Sequence, residues 1–565
     1  MILPEGNDLV IDILDATLGF SIRNGVTENN PAPGITAIKL TKVDESSIRL
    51  TITGKSQIPS AEVISGRDDL VLSITPENVT AEQDVETSQT TESIETIEII
   101  STATRTEEPV DEVSRSVTVI DREELDKQTT LSPSLTEILT QEVPGFGISA
   151  PQGDDRGSLR GRSISYLIDG IPVSDVFARP QRTISSDAIG KIEVVRGPNA
   201  VFGAEATGGT VNIIPRQPKE GEFEANVEVG TTAAAGGGGS FFNSEGFGYF
   251  SRLGLSEGSD SLDYLLSFSF EREGSFFDAE GDRIFFARPR DENRAINALG
   301  QFGFDIDEEQ RLQLSVNHYD IKRVEDEFIA DSNASDEAGK AQGIEVGEQE
   351  FNDTSPFFDR NTIISLKYSN EDLLGSALTA QGYYRNYSGL TAGVDDERGS
   401  QIDAITNSIL LDIEGGGGRL QTNTPLWQQA SLLWGADYDY QRRNGFTDFI
   451  DPVIFDESGG QTIQRLERRR TLPYSVGDLG LIAQLQSDLS EQFKLSGGLR
   501  YSYFDVDVSD YTSLSDVEVE GGSLNFDDVV FNVGAVYQVT DKINLFANFA
   551  QGFSLPNFNR LLTIP

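Results

Sequence analysis

Residues Gln492 to Tyr503 read Q-F-K-L-S-G-G-L-R-Y-S-Y. Odd positions Phe493, Leu495, Leu499, Tyr501 and Tyr503 are apolar, while Gln492, Lys494, Ser496, Gly498, Arg500 and Ser502 are polar or small. A period of two places one set on each face of a β-strand. The same alternation runs through Val529, Phe531, Val533, Ala535, Tyr537 and Val539, and again through Ile543, Leu545, Ala547 and Phe549. A soluble β-sandwich alternates too, but its strands average about 5–6 residues. Many runs here reach the ~9–11 residues of a tilted membrane strand. The connections also alternate in length. Short ones fall at Ser256–Asp260, Asp305–Gln310, Asn370–Gly375, Ser487–Gln492 and Thr540–Asp541. Long acidic ones fall at Gly274–Arg290, Val324–Asp359, Asn444–Leu472 and Ser509–Ser523. Short turns on one side and long loops on the other mark a transmembrane β-barrel. About thirteen strands are expected, with Gly415-Gly416-Gly417-Gly418 interrupting the alternation. An odd number does not close a single-chain bacterial barrel, so an incomplete barrel is expected.

Composition narrows the function. The 565 residues carry a formal net charge of −48, from 92 acidic and 44 basic side chains. Such a chain repels phosphate backbones, which excludes nucleic acid as a partner. There is no cysteine and one histidine, His318. Thiolate zinc sites and cysteine nucleophiles are therefore excluded, and a multi-histidine metal centre cannot be built. No enzyme chemistry is expected, and no metal site. No apolar run reaches the ~20 residues of a membrane-spanning helix. The start, MILPEGNDLVIDIL, lacks a basic segment followed by an apolar one. Either the protein is not exported or its leader is absent from this chain.

Four regions follow one another. Residues 1–76 hold short β-like runs (Ile35–Leu40, Ile48–Thr53, Leu70–Ile74) separated by turn residues such as Asn30-Pro31-Ala32-Pro33-Gly34, and read as a small β-sandwich. Residues 77–95 are rich in Glu, Ser, Thr and Gln, without Lys, Arg or aromatics, and read as an acidic disordered linker. Residues 96–218 are mixed α/β, with strands at Val117–Ile120, Tyr166–Ile168, Ile192–Val195 and Val211–Ile214. Asp121 is placed to cap a helix, and Leu135–Leu139 forms a second. Residues 219–565 are the partial barrel.

Within the third region, Gly203-Ala204-Glu205-Ala206-Thr207-Gly208-Gly209-Thr210 is one residue short of a phosphate-binding loop. Gly209 stands where that loop needs lysine, Glu205 adds negative charge, and a β run follows in place of a helix. The glycines serve tight backbone approach instead.

A globular region ahead of a large barrel suggests a plug filling the lumen, and the motifs agree. Glu95-Thr96-Ile97-Glu98-Ile99-Ile100-Ser101 resembles a TonB box; Leu159-Arg160-Gly161-Arg162, Leu167-Ile168-Asp169-Gly170-Ile171-Pro172, Ile192-Glu193-Val194-Val195-Arg196-Gly197-Pro198 and Gly208-Gly209-Thr210-Val211-Asn212-Ile213-Ile214 follow in order. From Glu95 onward the chain resembles TonB-dependent outer-membrane receptors of the siderophore type, and residues 1–76 resemble an AMIN domain. The resemblance implies a mainly β protein whose barrel would have roughly 22 strands, so that several are missing here and the chain as it stands does not transport.

It further implies import of a ferric siderophore as transported ligand, with no covalently bound cofactor, in the cell outer membrane. Cobalamin, haem or a glycan are the alternative cargoes. The implied partners are TonB with its ExbB/ExbD motor, outer-membrane lipid and, for the AMIN-like region, a periplasmic envelope component or peptidoglycan. The N-terminal region and plug would lie on the periplasmic side. The box from Glu95 to Ser101 would add as a strand to TonB; an ordinary first plug strand is the alternative. Arg160 and Arg196 would pair with barrel carboxylates, a role suited to the guanidinium fork. Phe177, Arg179, Gln181, Arg182 and Arg156, on outward plug turns, are the candidate ligand contacts. Tyr384, Tyr387 and Trp434 would line the lumen or join the aromatic girdle. His318 is read as a structural residue on the apolar face, and Asp505, Asp507, Asp510 and Asp516 as a solvated acidic loop rather than a calcium site.

Overall fold

In the computed structural model the chain forms two units, Met1–Glu95 and Thr96–Pro565. The described residues comprise the strands between residues 2 and 75 and most of residues 99–558. Residues 76–98, 148–156, 174–182, 202–205, 234–245, 276–292, 332–341 and 559–565 are the main stretches outside them. The acidic segment 77–95 falls there.

The first unit contains a five-stranded antiparallel sheet in the order Ile2–Glu5, Asp8–Leu14, Ser47–Gly54, Ile35–Lys42, Val26–Ala32, and a hairpin of Ser60–Ser65 with Leu70–Thr75. Leu9, Val10 and Ile52 are buried in it. The expected turn at Asn30–Gly34 is narrower than the sequence suggested. The Val26–Ala32 strand runs through Pro31, and Ala32 pairs with Ile35 after a register shift from Asn29. Proline has no N–H for a ladder, and an irregular edge strand is where a sheet tolerates it.

In the second unit the plug comes first. Strand β1 (Val117–Ile120) leads into helix α1 (Arg122–Leu131) and α2 (Leu135–Glu142). Then follow β2 (Ile164–Ile168), β3 (Ile171–Pro172), β4 (Ile189–Arg196) and β5 (Gly209–Pro215). The sheet order is β1-β4-β5-β2-β3, with β2 and β5 parallel. Asp121 caps α1 by accepting from Glu124 N at 2.8 Å, which satisfies one of the helix's first N–H groups. Leu125, Ile138 and Leu139 of the two helices bury against Ile192, Val194, Val211 and Ile213 of the sheet. Each such side chain contributes about 1.5–3 kcal/mol.

Two turns have both central residues at positive φ: Arg160 and Gly161 (53° and 72°), and Asp169 and Gly170 (47° and 77°). These are the tight hairpin turns that match strand twist. Gly208 is required by proximity: a Cβ there would come within 2.7 Å of Ser163 O and 2.8 Å of Arg162 O.

The barrel region is a 17-stranded sheet. Its thirteen long staves, all antiparallel to their neighbours, are β6 (Phe223–Ala233), β7 (Phe247–Gly258), β8 (Leu262–Arg272), β9 (Asn293–Asp305), β10 (Gln310–Arg323), β11 (Phe358–Asn370), β12 (Ala377–Leu390), β13 (Ile405–Trp427), β14 (Ala430–Ile450), β15 (Thr462–Ser490), β16 (Phe493–Val508), β17 (Gly522–Thr540) and β18 (Ile543–Ala550). Among the described residues no pairing joins β6 to β18.

The four short strands lie between long staves: Phe328–Asp331, Gln342–Glu345, Glu350–Asn352 and Val394–Asp396. The region Asn444–Leu472, expected as a loop, is instead mostly wall. Strand β14 continues to Ile450, helix α3 (Pro452–Glu457) turns the chain, and β15 begins at Thr462. The arginine-rich, alternation-poor sequence there hides strands, which pair all the same, with a register shift between Arg443 and Gly445. The Gly415–Gly418 run lies within β13, paired on both sides.

The opening stretch does what its alternation demands. Leu495, Leu499 and Tyr503 are exposed on the outer face, while Arg500 and Ser502 are buried inside. Across the sheet Leu366, Leu420, Tyr438, Leu481, Val529 and Phe549 continue the outward apolar face. No helix among the described residues is long and apolar enough to cross a membrane.

Candidate functional site

The plug sits inside the curved wall, and the residues that join them form the site. It begins at the N-terminal end of the plug. Ile99–Ile100 pair with Glu108–Pro109 in a small hairpin. Ile100 is fully buried against Ala103, Val113 and Val195. Thr102 follows. Its N–H donates to Glu193 Oε2 at 2.9 Å, and its hydroxyl donates to the same oxygen. Asn212 Nδ2 donates to the Thr102 hydroxyl at 3.0 Å, and Asn199 Nδ2 to Thr102 O at 3.3 Å and Ala103 O at 3.2 Å. Glu193 is wholly buried on β4, with Lys191 Nζ 2.7 Å from its other oxygen. A buried carboxylate is tolerated only when paired and hydrogen-bonded in this way.

Three residues further on, Arg105 reaches the wall. Its Nη1 and Nη2 donate to Asp437 Oδ1 and Oδ2 of β14 at 2.9 and 2.7 Å, a bidentate pair. Arg500 of β16 donates to Asp437 Oδ2 at 2.8 Å, and Arg419 of β13 to Oδ1 at 3.3 Å. Three guanidiniums thus share one carboxylate, with Asp478 3.8 Å from Arg500. Arg105 adopts a positive φ of 62° to make the reach. Burial, and then the neighbouring Arg419, lower its pKa to about 10, against the pull of Asp437. Gln484 and Gln421 clasp the backbone carbonyls of Thr104 and Arg105, each at 3.3 Å. Below them Lys494 Nζ lies 3.2 Å from Glu108 and 2.9 Å from Glu112.

Other plug turns meet the wall through polar side chains. The Asp169–Gly170 turn accepts from Gln313 at 3.1 Å and Gln381 at 3.3 Å. Arg385 bonds Pro172 O and Asp439, and the Tyr383 hydroxyl donates to Asp439 at 2.6 Å. Asn297 and Asn317 converge on Thr183 O at 2.9 and 2.6 Å, and Asn361 on its hydroxyl at 3.2 Å. Hydrogen bonds of this sort each contribute only about 0.5–1.5 kcal/mol. Leu265, Leu299 and Ile363 of the wall also join the apolar core of the plug, so polar, charged and apolar contacts together hold it.

Above this level the lumen face turns apolar. Tyr387, Leu411, Ile413, Tyr474, Val476, Phe504 and Val506 form a buried cluster, against which Phe553, Leu555 and Phe558 pack. Arg443 lies over the Tyr474 ring at 5.4 Å.

The residues named from sequence distribute unevenly. Of Glu95–Ser101, only Ile99 and Ile100 lie among the described residues, and they are already paired within the plug. Arg196 donates to Thr118 Oγ1 at 2.8 Å and Val117 O at 3.1 Å, inside the plug. Its pKa is lowered by burial and by the nearby Arg160, which is exposed on its turn. Charged plug–barrel contacts among the described residues are made by Arg105 with Asp437 and by Glu108 and Glu112 with Lys494. Phe177, Arg179, Gln181, Arg182 and Arg156 lie outside the described residues. Tyr387 lines the lumen, while Tyr384 and Trp434 face outward. His318 shares the outward face with Leu314 and Val316 and contacts Thr362 Oγ1 at 2.9 Å. Among the described residues no acidic group forms a metal cluster.

Sequence reading missed Arg105, Glu193, Arg419, Asp437 and Arg500. A signal existed for the last three, because each is a charge on the polar register of a stave flanked by apolar outward residues. Glu193 carried one too, as a lone charge between Ile192 and Val194 of a strand, whereas Arg105 carries no local pattern.

Comparison with known proteins agrees with this geometry. Residues 289–564 match the family model of the TonB dependent receptor-like beta-barrel, residues 109–210 the TonB-dependent receptor plug domain, and residues 1–75 the AMIN domain. The rhizobactin receptor of Rhizobium meliloti is 25% identical over 493 residues, covering 81% of this chain and 64% of the relative. The ferric aerobactin receptor of Klebsiella pneumoniae is 25% identical over 478 residues, covering 80% and 64%. The chain thus spans about 64% of the length of these relatives. The ferric citrate transporter FecA, unliganded, superposes with a TM-score of 0.59 at 18% identity, covering 79% of this chain and 64% of that one. The ferric yersiniabactin receptor FyuA of Yersinia pestis gives 0.56 at 18%, covering 78% and 65%. At such identity these two show the fold alone. Plug and barrel together show that the chain belongs to the TonB-dependent receptors, a family of outer-membrane barrels and not of enzymes.

Proposed function

We propose that the protein imports a ferric siderophore across the outer membrane, driven by TonB pulling on the segment from Glu95 to Ser101. The observation that carries this reading is the load path on the plug. A pull applied before Ile99 meets, in order, the two-residue Ile99–Ile100 pairing, the Thr102–Glu193 contacts and the Arg105–Asp437 pair. Each is polar or short, so the segment yields stepwise while the helices and sheet of the plug stay packed. The receptors for rhizobactin and ferric aerobactin among the relatives support a ferric chelate as cargo. Arg156, Phe177, Arg179, Gln181 and Arg182 are the proposed ligand contacts, since arginine and aromatic groups suit an anionic, wide chelate. Arg160 and Arg196 are proposed as plug–barrel contacts that pair with barrel carboxylates. The plug and front domain would lie on the periplasmic side, where the ExbB/ExbD-powered TonB acts and the AMIN-like unit meets an envelope component such as peptidoglycan.

The test is binding of a panel of ferric siderophores, haem and cobalamin to the whole receptor, with iron uptake after deletion. Selective binding of one ferric chelate and loss of its uptake is the expected result. Binding of cobalamin or haem alone would redirect the assignment.

A further inference from the structure

On the outer wall, two mid-strand glycines leave a gap that the protein itself does not need. Gly382 of β12 and Gly418 of β13 are directly paired, and Leu366 and Tyr438 continue the same row on either side. The row therefore reads large, absent, absent, large. The result is an apolar furrow of about 500 Å³, walled by Leu366, Tyr368, Leu420 and Tyr438.

Sterics separate these glycines from their neighbours. A Cβ at Gly416 would lie 2.7 Å from Tyr383 O, and one at Gly417 would meet the Tyr383 ring, so the wall demands glycine there. At Gly382 a Cβ meets nothing within 4 Å, and at Gly418 its nearest neighbour is Gln381 O at an ordinary 3.6 Å. Neither has a positive φ. Glycine inside a strand weakens it unless something must approach closely. Here the approach is from outside.

We propose that this furrow binds one acyl chain of a glycerophospholipid. The occupant follows from three properties of the site. Its surface is mostly hydrocarbon: the Tyr368 hydroxyl already donates to Gln310 at 2.7 Å, and the polar lining residues Gln381 and Arg419 bond on the plug side, to Asp169 O and Asp437, which fits an apolar occupant. It is continuous with the exposed apolar face of Leu366, Leu420, Tyr438 and Leu481 that meets the bilayer. It lies in the halves of β11 and β12 nearer the short Glu371–Ser376 connection, which is the periplasmic side of such barrels. The Leu366 and Tyr438 backbones stand about 14 Å apart, three strand spacings, so the gap between their side chains takes one chain. Behind the floor, Arg419 and Asp437 belong to the plug contact, so the bound chain backs directly onto it. The proposal rests on the outer face meeting lipid and is independent of the imported cargo.

The test uses the full chain in detergent with dioleoylphosphatidylethanolamine, observed by native mass spectrometry, with strand content checked by circular dichroism. One lipid adduct per chain, outlasting the others on activation, is expected. Gly382→Leu and Gly418→Leu should each lower its occupancy at least about fivefold, while Ala535→Leu, on the outer face of β17, leaves it unchanged. Equal occupancy in all four chains, no long-lived adduct in the unsubstituted chain, or a dimer of chains in place of the lipid would each overturn the proposal. Two variants on separate strands guard against a folding failure in either.

Discussion

Arg105 and Asp437 are two ends of one ion pair, yet removing them should have unequal effects. Arg105→Ala deletes two charge-assisted hydrogen bonds, at 2.9 and 2.7 Å, each contributing about 1.5–3 kcal/mol before offsets. The offsets are large. The guanidinium is buried, and it lies close enough to Arg419 and Arg500 for both to depress its pKa. The Asp437 carboxylate also stays compensated, because Arg500 and Arg419 remain at 2.8 and 3.3 Å. A net loss of about 1–2 kcal/mol is expected. Asp437→Ala instead removes the one carboxylate that three guanidiniums share, and uncompensated buried charge costs about 3–5 kcal/mol. The gap of roughly 2 kcal/mol corresponds to more than a tenfold ratio in opening constants. Amide hydrogen exchange over Thr102–Thr106 reads those constants directly, since this stretch opens when the plug segment leaves the wall. Faster exchange in both variants, with Asp437→Ala at least tenfold ahead, is the expected result. If Arg105→Ala opened the segment as much as Asp437→Ala, within a factor of two, the cluster would not be organised around the carboxylate and the reasoning would fail.

Three further outcomes are expected. Burial raises the Glu108 pKa above its ordinary 4.5, against the pull of Thr104 and Lys494; an acid raised on docking contributes stability that is complete below 4.5 and lost as pH climbs through the raised value. Segment protection should therefore fall with rising pH across that window, and Glu108→Gln should flatten the slope. Glu193→Ala removes the acceptor of both Thr102 donors and should lower local protection by about 1–3 kcal/mol, whereas Glu193→Gln, which keeps a carbonyl oxygen for them, should retain most of it; equal loss in both would show that acceptance by that oxygen is not what holds the segment. Finally, Ile97→Pro removes a backbone donor needed for strand addition, and should abolish capture of the chain by immobilised TonB C-terminal domain without altering exchange over β2 to β5.

The architecture was legible because alternation is a local signal. Each stave announces its two faces in six to ten residues, and the helix start at Asp121 follows from one side chain. The contact between plug and wall was not legible in the same way. Arg105 lies 332 residues from Asp437 in sequence, and no periodicity links them. Its partner is set by strand register, which puts Arg419 directly opposite Asp437 and Arg500 two residues from the position that faces Asp437 across β15. The long connection expected at Asn444–Leu472 went wrong for a related reason. Arg468 and Arg469 look like loop residues, but Asp448 pairs with the first and the Phe449 ring lies under the second. Charge alone does not separate a loop from a wall that rises beyond the membrane.

The two faces of Gln492–Tyr503 also bear on how such a receptor can vary through time. Even positions answer to the plug: Lys494 to Glu108, Ser496 to Ser114, Arg500 to Val201 O. Odd positions answer to lipid. One stretch of chain thus carries two interleaved messages, and substitutions can revise either without garbling the other. A single-residue insertion cannot, because it exchanges the faces wholesale. It would turn Lys494 and Arg500 toward hydrocarbon, at a cost that reaches roughly 2–4 kcal/mol for a cation at the midplane and falls toward the interfaces. Length changes in this lineage should therefore collect in the connections, while the staves diverge by replacement only.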